Sequence, residues 1–162
     1  MRKIIIAFLC SICCTNVINA QDSAEDFRNE LEEMYSSMRK DIDILEQHFA
    51  EQGLHVKLDF RYDRRLNRII YEYRLSSAEL FFTSDLEAAV ENSINEMVNE
   101  SIKADTTGKY FLWFIDGIKK TNTSFMYIVK YGDKQKDILV PTHELVNRAM
   151  KYYLKSISIS KK

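Results

Sequence analysis

The sequence predicts an α+β protein, with an antiparallel sheet of five to six strands packed on a long N-terminal helix. Three stretches carry that prediction. Residues 27–49 hold an apolar stripe at steps of three and four, and residues 54–75 alternate apolar with polar side chains across a polar turn. Residues 108–131, GKYFLWFIDGIKKTNTSFMYIVKY, hold the only Trp and read as two further strands. The implied order is α-β-β-(β)-α-β-β-(β)-α.

The first segment lies apart from this pattern. Arg2 and Lys3 precede an apolar run from Ile4 to Cys14, and the more polar end carries Ile18 and Ala20 at the spacing of a cleavage site. Residues 1–20 therefore read as a secretory signal peptide, cleaved before Gln21. The apolar run is too short to span a bilayer comfortably, so no stable membrane anchor is expected after cleavage. Cys10, Cys13 and Cys14 all fall inside it, and Leu9, Ile12 and Cys13 before them are not the small residue of a lipoprotein site. The mature chain then has no cysteine for disulfides, thiol catalysis or metal binding.

Without Arg2 and Lys3, 21 Lys and Arg face 24 Asp and Glu, a net charge of −3. Mixed, mildly acidic charge argues against nucleic acid and anionic membranes as partners. At 46% hydrophobic and 29% charged, with 4 Gly and 1 Pro, the chain has material for a core and little for a linker. Residues 21–162 are expected to form one domain, exported to a periplasm or the extracellular space, in a bacterial setting. Asn99 and Asn122 match glycosylation acceptor tripeptides, which matter only in a eukaryotic secretory pathway.

Taken in order, Ser23 and Asp26 form a capping box, and Phe27, Leu31, Met34, Met38, Ile42, Leu45 and Phe49 then mark one amphipathic helix that stops at Gly53. The same stripe would serve a coiled coil; a helix lying across a sheet is favoured. Leu54, Val56, Leu58, Phe60 and Tyr62 alternate with His55, Lys57, Asp59, Arg61 and Asp63, a strand with one wet face. DRRLNR turns the chain into a return strand of Ile69, Tyr71, Tyr73 and Leu75, alternating with Ile70, Glu72 and Arg74. Leu80 to Thr83 is a short third strand or the approach to the next helix, which Ser84 and Glu87 cap and Leu86, Val90, Ile94, Met97 and Ser101 stripe. Pro141 and Thr142 open a last helix, 142–157, with Leu145, Val146, Ala149, Met150 and Tyr153 on its apolar side.

Residues 22–83 and 84–140 also align as a weak internal repeat: Gly53 falls on Gly108, DRRLNR on KKTNTS, Tyr71 on Tyr127 and Ser84 on Thr142. Carried across, this register places Phe111, Trp113 and Ile115 on Val56, Leu58 and Phe60. A surplus apolar face remains, composed of Tyr110, Leu112, Phe114, Met126 and Ile128, where the first half has Lys57, Asp59, Arg61, Glu72 and Arg74, with Ile70 as the exception. Burying each such side chain contributes about 1.5–3 kcal/mol, so the face needs a cover. The last helix, a second copy, a protein partner, or a lipid or other apolar small molecule would each supply one.

Chemistry-bearing patterns are sparse. His48, His55 and His143 include no pair at the helical spacing of a zinc site, and neither G-x-S-x-G nor a glycine-rich phosphate loop occurs. Asp59 with Asp63, and Asp41 with Asp43, stand near Arg61, Arg64 and Arg65 and read as exposed ion pairs. The basic loop of Arg64, Arg65 and Arg68 reads as a solvated turn or a contact for an acidic partner. No catalytic, cofactor-binding or metal-binding residue is assigned. The expected function is that of an exported, non-enzymatic interaction protein acting through the apolar face. A carrier of small apolar ligands is the alternative, and a small hydrolase the weakest reading.

Overall fold

The computed structural model describes residues 23–159, so the expected leader and the last three residues lie outside it. The elements run α1 (Ala24–Lys40), α2 (Ile42–Glu51), β1 (Val56–Asp63), β2 (Arg68–Leu75), α3 (Ala78–Thr83), α4 (Leu86–Ala104), α5 (Lys109–Thr121), β3 (Ser124–Tyr131), β4 (Lys134–Val140) and α6 (Thr142–Ile159). They form a mixed α+β structure around one four-stranded sheet, ordered β1-β2-β3-β4.

The expected five to six strands reduce to four for definite reasons. Leu80–Thr83 is part of α3, started by the Ser77 hydroxyl, which accepts the Leu80 N–H. The sequence also offers Asp137–Val140 as a short strand, and this one is present, as the end of β4. The largest difference is at residues 110–115, which are helical. Phe111, Phe114, Ile115 and Ile118 are all buried, a stripe at steps of three, one and three that only a helix puts on one side. Gly108 (φ 71) precedes this helix, and Asp105 Oδ2 accepts the Tyr110 N–H at 2.9 Å. The repeat register that laid Phe111, Trp113 and Ile115 on strand β1 therefore does not hold.

The expected single N-terminal helix is two. At Asp41 (φ −99, ψ −1) the backbone N–H bonds Met38 O at 3.1 Å, and the chain restarts as α2. The break places α2 along the free edge of β1, where Glu46 Oε1 accepts the Leu58 N–H at 2.8 Å. An edge donor that another strand would otherwise seek is thus occupied. The sheet is also not wholly antiparallel. Both hairpins are, but the central β2–β3 pair is parallel, with Tyr71 opposite Tyr127. A parallel pair requires a crossover, and α3, α4 and α5 supply it.

Turn residues fit their tasks. β3 and β4 are joined by Gly132 and Asp133 alone, and Gly132 takes φ 57, which a two-residue hairpin turn demands. Along each strand, alternate residues enter the core: Phe60, Tyr71, Tyr127 and Phe125 lie side by side, with the Tyr71 and Tyr127 rings stacked at 5.1 Å. All six helices bury side chains in this same cluster, among them Phe27, Tyr35, Phe49, Phe81, Ile94, Ile118 and Leu145. Tyr35 and Tyr71 share a hydroxyl–hydroxyl hydrogen bond of 2.5 Å inside it. Gly117 permits a close approach of α5 to α1. A Cβ there would stand 2.2 Å from the Phe27 ring, which packs edge-on against Trp113 and Phe114.

Candidate functional site

Since the six helices share one face of the sheet, the other face is open among the described residues, and strand register lays it out in rows. One row runs Arg61, Ile70, Met126, Leu139; the next Asp59, Glu72, Ile128, Asp137; the third Lys57, Arg74, Lys130, Gln135. An apolar ridge thus crosses three strands beside an acidic row and a basic row.

Glu72 is the centre of this face. It is 3% exposed, and its carboxylate meets Arg74 Nε at 2.8 Å, Lys130 Nζ at 2.9 Å and Arg61 Nη1 at 3.8 Å. Burial raises the cost of ionising Glu72, but the hydrogen bonds and charges of Lys130 and Arg74 outweigh it and hold the carboxyl below its ordinary range. Ile70, beside Arg61 in the strand register, and Ile128, beside Glu72, are buried as well. Leu139, at the outer strand, stays 46% exposed.

The structure divides the five residues expected to form one apolar face. Met126 and Ile128 lie on the open sheet face. Tyr110, Leu112 and Phe114 belong to α5 on the other side: Phe114 is 7% exposed against Phe27, Tyr110 is half-buried beside Trp113, and Leu112 is 45% exposed. Ile70 and Leu139 take the places beside Met126 that the strand reading had given to α5 residues.

The open face ends in a groove of about 600 Å³, where the starts of β2 and β3 meet the end of α5 and the start of α6. Arg68, Lys119 and His143 line it beside Asn122, Ser124, Thr142 and Asn147, with Leu66, Leu139, Pro141 and Val146 as its apolar wall. The basic loop is split between two tasks: Arg64 pairs with Glu25 and Glu32 of α1, while Arg68 turns to this groove. Of the other candidate groups, Asp59 is held by Arg39 and Arg61, Asp63 accepts the Leu66 N–H, and His48 bonds Gln52.

Among the described residues, no three His, Cys, Asp or Glu side chains are grouped to hold a metal ion, and no helix is long and apolar enough to cross a membrane. No family model matches the chain, and no curated protein and no solved structure is significantly similar to it.

Proposed function

We propose that this chain is an exported, non-enzymatic interaction protein that docks a protein partner on the open face of its sheet. One observation carries the reading: among the described residues the helices cover one face only, while the other presents the ridge of Ile70, Met126 and Leu139 beside ordered rows of charge. The partner is a different, non-obligate protein rather than a permanent second copy. Obligate dimers bury large apolar faces, whereas here Ile70 and Ile128 are already buried in the single chain and the rest is mostly charged. Arg, Met and Leu within a polar rim suit an association that forms and dissolves.

The test is a photo-crosslinking residue placed at Leu139 in the full chain, expressed in its own cell, with Glu33 on the exposed side of α1 as the control position. One discrete adduct from position 139 and none from position 33 is expected. An adduct of twice the chain's mass would make the partner a second copy, and equal labelling from both positions would remove the face from consideration. Export is checked separately by the mass of the mature chain, expected to begin at Gln21.

A further inference from the structure

We infer that the groove at the end of the sheet is a binding site for a small organic oxyanion, a phosphate or carboxylate group attached to a short apolar body. The groove shares Leu139 with the docking face but rests on its own charged and polar lining. Its first support is an uncompensated charge. The groove is lined by Arg68, Lys119 and His143 and by no Asp or Glu. Arg68 Nη1 contacts the Met126 sulfur at 3.4 Å, its buried Nε has no acceptor, and among the described residues it makes no ion pair, although Asp63 lies opposite it in the strand register. Lys119 makes no ion pair with a described carboxylate, whereas the adjacent Lys120 pairs with Asp116. A guanidinium partly removed from water and left without a counter-charge is unfavourable, and an anion in the groove would relieve it.

The second support is the arrangement of neutral donors. Asn122, Ser124 and Asn147 line the same groove, and the first turn of the 18-residue helix α6, at Thr142 and His143, opens onto it. Helix N-termini present unpaired N–H groups and partial positive charge, so this element adds to the two cations, Arg68 and Lys119, rather than opposing them. The third is the wall. Leu66 and Leu139 are exposed beside Pro141 and Val146, so a purely inorganic ion would leave them wet and a ligand with an apolar body would cover them.

Amide NMR of the mature chain, titrated with phenyl phosphate, phenylacetate and neutral benzyl alcohol, tests this directly. Either anion should shift the Asn122, Ser124, Thr142 and His143 resonances saturably, the tighter of the two identifying the headgroup, and benzyl alcohol should not. Lys119→Gln, at an exposed position, and Arg68→Gln should each weaken binding by about tenfold, the cost of one charge-assisted hydrogen bond. Lys103→Gln, on the exposed side of α4, should leave it unchanged. Absence of saturable shifts with both anions, equal shifts with the alcohol, or equal loss in Lys103→Gln would each overturn the assignment.

Discussion

The two faces of the one sheet are held by different forces, although their residues alternate along the same strands. On the covered face, Phe60, Tyr71, Tyr127 and Phe125 form a run of ring contacts between 5.1 and 5.6 Å, closed by helices that fit against it. On the open face, Glu72 gathers Arg61, Arg74 and Lys130, and the arms of these cations stand where helices stand on the other side. Shape complementarity fixes the first face and charge neutralisation the second. Substitutions on the first should therefore be costly and insensitive to pH, and those on the second cheaper and pH-dependent.

The strongest test lies where α1 meets α5. Phe27→Ala should lower unfolding stability by about 4 kcal/mol, measured by urea denaturation, because the ring is 2% exposed and fills the space between Trp113 and Phe114. Gly117→Ala should cost about 3 kcal/mol in the wild-type background, since the new methyl meets the Phe27 ring. In the Phe27→Ala background the same change should instead stabilise by up to about 1 kcal/mol. The clash is then gone and alanine's helix propensity remains. Simple additivity of the two changes would show that the closeness of Gly117 to Phe27 has no energetic weight.

The open face gives the intermediate effect. Glu72→Gln should cost about 2 kcal/mol at neutral pH, leaving three cations around an uncharged group. The folded carboxyl ionises at lower pH than the unfolded one. Its contribution is therefore complete above the unfolded glutamate's range and is lost as pH falls through that range into the folded one. Wild-type stability should converge on that of Glu72→Gln as pH falls below the ordinary glutamate range, and parallel pH curves would refute the charge account. The smallest effect belongs to Leu139→Ser, which should change stability by less than about 0.5 kcal/mol while abolishing the adduct formed from a crosslinking residue moved to Gln135 of the same face. A large loss of stability would make Leu139 part of the core rather than part of a docking surface.

The alternation of β1 and β2 and the stripes of α4 and α6 were legible because each has one apolar and one polar side, so period alone decides. Residues 110–115 are apolar at every position, and for them period 2 and period 3.6 fit equally well. Their aromatic and β-branched content suggested strand. The deciding signals sat just outside that window: Asp105 as a cap, Gly117 as a contact point and Ile118 as the next step of the stripe. The site was legible only in part for a related reason. Met126 and Ile128 could be placed by alternation within β3, and Arg68 stood out in its loop. Leu139 joins Met126, and Lys119 joins Arg68, only through the pairing of β3 with β4 and the end of α5, which no local pattern records.

The central parallel pair has a consequence for the order in which the molecule is made. Each hairpin closes locally, through residues 64–67 or 132–133, but β2 can find β3 only after the crossover, residues 76–123, and β3 itself have been synthesised. Until then the β2 edge from Ile69 to Tyr73 is an unpaired template with its aromatic side uncovered. On the opposite edge of that hairpin, the Leu58 N–H is taken by Glu46 of the preceding helix, which is synthesised first. An emerging chain therefore offers one sticky edge rather than two. Glu46→Ala should leave the finished fold standing and show its effect as aggregation during refolding, where a second open edge lets nascent hairpins join one another.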